Sequence, residues 1–142
     1  MAVLDNNHEG HFMSIDLQFL AYTAVLTASL WIPYIACQVM TNGFLAGENY
    51  VDPTPRPVPM WGSRANRVHI NAVEAFAPFA ALVLIAAVAG KANAMTAFWA
   101  QWFFWFRVAH AGVYYAGIPY VRTLVFTAGY VGVLGIAWEL LK

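Results

Sequence analysis

Four long apolar runs constrain this chain before anything else does. They cover residues of about 16–40, 63–90, 93–115 and 120–141. A helix that crosses the hydrocarbon of a bilayer needs about 20 mostly apolar residues. In lipid every backbone amide and carbonyl must be satisfied within the structure, so runs of this length fold as helices. Nothing substantial remains for a soluble domain. The expected architecture is all-α, a four-transmembrane-helix bundle forming one integral membrane domain over residues 1–142.

Composition agrees with that reading. Hydrophobic residues make up 61% of the chain and charged residues 10%. The mean hydropathy is +0.59, whereas a soluble domain is about half apolar and about a quarter charged. A net charge of +0 leaves no electrostatic footprint for nucleic acid. The lone cysteine, Cys37, excludes an internal disulfide and a cysteine metal cluster. Among apolar neighbours it reads as a small core hydrophobe. The first fifteen residues carry Asp5 and Glu9 but no Lys or Arg. That lacks the cationic start of a secretory signal, and the segment reads as a polar cap outside the bilayer. His8 and His11 within it make a poor metal site, and no metal is expected.

Punctuation divides the runs. Ser14 and Asp16 suit the start of the first helix. Pro33 and Pro78 lie inside the first and second helices and should kink them, because proline donates no backbone hydrogen bond. The connection over about 41–62 contains Pro53, Pro55, Pro57 and Pro59, which favours extended polyproline geometry. Gly90-Lys91 and Gly117-Ile118-Pro119 make the two later turns. Arg56, Arg64, Arg67 and Arg122 gather beside the first and third loops, against only Lys91 and Lys142 on the other side. Basic residues stay cytoplasmic, so these two loops are expected in the cytoplasm and both termini outside. Trp61, Trp99, Trp102, Trp105 and Trp138 lie mainly near helix ends, as interfacial anchors do. Phe103, Phe104 and Phe106 continue an aromatic band read as core and lipid-facing packing. Gly129, Gly132 and Gly135 permit close helix approach.

Ionisable groups at membrane depth normally face protein or water and mark a working site. Arg67, Asn71, Glu74 and Pro78 share one stripe of the second helix, at spacings of four, three and four. Arg107, His110 and Tyr114 share one stripe of the third. The rise of about 1.5 Å per residue puts Glu74 and Arg107 at similar depth, so an intramembrane Glu74–Arg107 pair is expected. Such a pair can form the floor of a binding site, or can simply fix helix register. Around it Arg67, Asn71, His110, Tyr114, Arg122 and Thr123 would converge near the cytoplasmic mouth. Their cations, amide and hydroxyls suit an anionic ligand, and a slot toward lipid would admit a hydrophobic second substrate.

At these residues the chain resembles the MAPEG family, the membrane-associated proteins in eicosanoid and glutathione metabolism. Arg67, His69, Asn71, Glu74, Pro78 and Phe79 fit the family's second-helix pattern. Arg107 to His110 with Tyr114 fit the third, and Pro119, Arg122 and Thr123 fit the fourth. The chain is most similar to the short bacterial branch, which implies a bacterial inner membrane. The resemblance further implies a homotrimer with glutathione bound at subunit interfaces. Arg67, Asn71, Glu74, Arg107, His110, Tyr114 and Arg122 would bind or shape the glutathione site. Arg122 and Thr123 would act on the thiol, in a transferase or peroxidase using lipophilic substrates. Ile70, Phe126, Met40 and Asn42 depart from the pattern, standing where glutathione users carry arginine, tyrosine and basic residues. A second reading is a non-catalytic membrane scaffold or accessory subunit, packing against other membrane proteins, lipids or pigments.

Overall fold

The computed structural model describes residues 13–44, 47, 51, 54 and 56–142. The tail residues Asp5, His8, Glu9 and His11, with Pro53 and Pro55 of the first loop, lie outside them. Among the described residues five helices follow one another: α1 Ile15–Ser29, α2 Ile32–Asn42, α3 Met60–Val88, α4 Ala94–Ala116 and α5 Pro119–Leu141. No strand occurs among the described residues.

The first expected helix is two helices. Pro33 sits in the first turn of α2, where a missing amide hydrogen costs nothing. Continued from α1, the same ring would leave the Ser29 carbonyl without its donor and clash with it. The chain therefore turns through Leu30 and Trp31 before the helix resumes. Pro78 has no such effect, and α3 runs through it without a break. Membrane helices tolerate an interior proline where neighbouring groups compensate.

Among the described residues three segments are long and apolar enough to cross a membrane: Ile15–Asn42, Met60–Val88 and Pro119–Leu141. The fourth expected span, α4, has 23 residues but is absent from that set. Gln101, Arg107, His110 and its tryptophans and tyrosines lower its hydropathy. This polarity is tolerable because α4 packs against α1, α3 and α5.

Small and large residues interlock in the core. Phe79 of α3 stacks on Phe103 of α4, with centroids 4.1 Å apart and planes 15° from parallel. Ala86, Ala100, Val133 and Ile136 fill the space around them. The most extensive contact joins α4 to α5. Trp99 lies against Gly135, where a β-carbon would overlap the indole. Trp102 donates from Nε1 to the Ala128 carbonyl at 2.8 Å. These two tryptophans are therefore helix-packing residues rather than interfacial anchors. Trp61 and Trp138, exposed near helix ends, keep the anchor position.

A polar clasp closes the end of the bundle where α1 and α4 begin. Asn93 caps α4, accepting from the Met95 and Thr96 amides at 2.8 and 3.2 Å. The Thr96 hydroxyl accepts from the Asn93 amide at 2.8 Å. The same hydroxyl oxygen stands 2.8 Å from the Asn93 carbonyl and 3.4 Å from Asp16 Oδ2, either of which can accept its hydrogen. Asp16 is only 2% exposed. Ser14, at the N-cap position of α1, makes no side-chain cap bond, and Asp16 instead ties α1 to α4. Asn93 also donates to Glu139 Oε2 at 3.4 Å, and Glu139 pairs with Lys142 at 2.5 Å.

Candidate functional site

At the opposite end of α4 the sequence builds a ladder of cations and rings. Thr96, Ala100, Phe103, Arg107 and His110 recur at three- and four-residue spacing and are all buried. They form the stripe of α4 that faces its neighbours. Arg122, Phe126 and Gly129 recur likewise along α5. The two stripes meet.

Arg107 is 4% exposed. Its Nη2 donates to the Phe126 carbonyl at 3.1 Å. Its guanidinium carbon lies 4.7 Å from the Phe126 ring centroid and 5.3 Å from that of Phe103. Guanidinium between two aromatic faces is a favourable cation–π arrangement. Room for it comes from Gly129, where a β-carbon would stand 2.8 Å from Nη2. Two more buried donors on the same group, Nε and Nη1, have no partner. His110 follows, its ring 5.5 Å from Phe126 and 5.6 Å from Tyr114. Arg122 completes the ladder 5.0 Å over the Tyr114 ring. Arg122 and Thr123 are both exposed. The turn below is set by Gly117, at φ 75°, a left-handed conformation that glycine adopts without penalty. Arg64 lies against Gly117 and donates to the Tyr115 carbonyl at 3.4 Å.

The α3 residues do not join this ladder within one chain. The core-facing stripe of α3 is Ala65, Val68, Ala72, Ala75, Phe79, Val83 and Ala86. At about 100° per residue, from 3.6 residues per turn, Arg67 and Glu74 fall on the far side of the helix. Both are exposed, and Asn71 is half-buried. No Glu74–Arg107 ion pair forms: Arg107 turns toward α5 and bonds the Phe126 carbonyl, while Glu74 points away from the core. Equal depth along two helices does not fix the direction in which their side chains point.

His69 has a buried Nδ1 without a partner, as does the Tyr115 hydroxyl. The family-like pattern contained His69, but no spacing argument singled it out. Phe126, a departure from the family-like pattern, supplies both a ring and a carbonyl to Arg107. Met40 and Ile70, two other departures, are exposed and half-buried respectively.

Chemically the ladder brings together permanent cations, an imidazole, a phenol, and two guanidinium nitrogens without partners, groups whose chemistry suits an anionic ligand. Guanidinium donors in this state recognise carboxylates strongly. The only cysteine is elsewhere, buried at 0% exposure where α2 meets Gly62. Any thiol working at this site must come from a co-substrate. Among the described residues no three His, Cys, Asp or Glu side chains gather as metal ligands.

Residues 19–142 match the sequence model of the MAPEG family. The match takes in α2 to α5 and all but the first turn of α1. No curated protein matches the chain.

Proposed function

The chain belongs to the MAPEG family, and from that premise we propose that it is a glutathione-dependent transferase or peroxidase acting on lipophilic substrates. The observation that carries this reading is the pair of unpartnered, buried donor nitrogens on Arg107, Nε and Nη1, in the ladder with His110, Tyr114 and Arg122. Such donors are costly unless a ligand meets them, and glutathione carries two carboxylates. Arg67, Asn71 and Glu74 supply the rest of the site from a second copy. They lie on the outer face of α3, and charged groups at membrane depth seek protein rather than lipid. A homotrimer with sites between its copies meets both requirements.

Arg122 and Thr123, exposed at the start of α5, are placed to hold the glutathione sulfur as thiolate, the nucleophilic form. In conjugation that sulfur forms a bond to an electrophilic carbon as the leaving group departs with its electron pair. The loop that carries Arg56 and the helix starts that carry Arg64 and Arg122 face the cytoplasm of a bacterial cell, with both termini across the inner membrane.

One observation favours a second reading, a non-catalytic membrane accessory subunit. Arg107 is already engaged by the ring and carbonyl of Phe126, and Ile70 and Met40 stand where cations would assist binding. Isothermal calorimetry of detergent-solubilised protein with millimolar glutathione separates the two. Saturable heat supports the enzyme. A flat titration removes it in favour of the accessory subunit.

A further inference from the structure

Far from the ladder, where α3 ends and α5 closes, two apolar grooves of about 270 and 310 Å3 lie side by side. Ile85 and Ala89 of α3 border both. Leu82, Ala137, Leu140 and Leu141 wall the first, and the exposed Lys91 is its one charged lining residue. Leu84 and Val88 wall the second. Lys91 belongs to the turn that joins α3 to α4, at the end of a membrane span. Its ammonium donates to the Leu140 carbonyl at 2.6 Å, which fixes its position and leaves two N–H donors. Glu139 is engaged by Lys142 and Asn93. Among the described residues no carboxylate forms an ion pair with Lys91.

We propose that this paired groove is a binding site for one anionic phospholipid. Its phosphate sits on Lys91 and its two acyl chains lie on either side of the Ile85–Ala89 ridge. The charge arrangement favours that occupant. A basic residue at the rim of an intramembrane groove is the chemistry that holds lipid headgroups. The lining is otherwise apolar, as acyl chains require. A second copy of the chain docking here would have to bring a carboxylate to the Lys91 ammonium, whereas the headgroup phosphate of the surrounding bilayer already lies at that depth.

Native mass spectrometry of the full chain, released from detergent after titration with phosphatidylglycerol or with phosphatidylcholine of identical chains, tests this. The wild type should retain one phosphatidylglycerol about fivefold better than phosphatidylcholine, the preference one cation confers. K91Q should abolish the preference, K91R should keep it, and K142Q should leave it unchanged. A89W, which fills both lobes without touching charge, should lower retention of both lipids. Equal retention of the two lipids by wild type, or a K91Q variant that keeps the preference, overturns the proposal. So does an A89C variant that oxidises to a disulfide joining two copies of the chain.

Discussion

Arg107 and Phe126 are bound twice over: the guanidinium lies 4.7 Å from the ring and donates to the same residue's carbonyl at 3.1 Å. One contact depends on the side chain and the other does not. Phe126→Leu should therefore spare the carbonyl bond and remove the ring contacts to Arg107 and His110, lowering stability by about 0.5–2 kcal/mol. Thermal unfolding in detergent measures it. Arg107→Met should behave differently, since it deletes the buried donors as well and changes glutathione heat along with stability.

Gly129 keeps the space in which Arg107 lies, a β-carbon there standing 2.8 Å from Nη2. Gly129→Ala should push the guanidinium off Phe126. The expected cost is about 1–3 kcal/mol, as for other overpacked interiors. A Gly112→Ala control, with open space around its β-carbon, should leave unfolding unchanged.

Gly135→Val should act on α4 rather than on the ladder, because Trp99 occupies that space. Expulsion of the indole should appear as a change in tryptophan emission together with a lower melting temperature. Glutathione titration should be little altered in whatever protein remains folded.

Arg122 is exposed and touches its own chain through the Tyr114 ring. Arg122→Leu should leave thermal stability nearly unchanged. If the site binds glutathione, the loss of one charged contact, about 1.5–3 kcal/mol, weakens affinity by roughly ten- to a hundredfold. Calorimetry reads this directly, and unchanged affinity would take Arg122 out of the site.

Asp16 and Thr96 join α1 to α4 through a 3.4 Å contact. A double-mutant cycle with Asp16→Asn and Thr96→Val should show coupling of about 0.5–3 kcal/mol, as contacting residues do. Additive losses would make the clasp incidental.

Much of this fold was legible from residue order. Each apolar run falls on helix among the described residues, and Pro33 marked the interruption of the first, although it proved a break and not a kink. The stripe of Arg107, His110 and Tyr114 was correctly grouped, because helical spacing fixes which side chains share a face. The partner of that stripe was not legible. Depth can be counted along a helix, but the azimuth of its neighbour depends on packing, and small residues decided it. Gly129 and Gly135 let α5 sit close on α4, with Arg107 against Phe126, while the stripe of α3 from Ala65 to Ala86 faces the core and leaves Glu74 outside. The Asp16 clasp was missed for a similar reason. Asn93 and Thr96 carry a recognisable capping spacing, but nothing local linked them to an acid 80 residues away.

The close seat of Cys37 on Gly62 has a practical corollary. A β-carbon added at Gly62 would collide with the sulfur, so the thiol has no clearance for a reagent while α2 rests on α3. With one cysteine in the chain, maleimide uptake becomes a gauge of those two helices parting. It should stay silent in the intact protein and rise only as they separate.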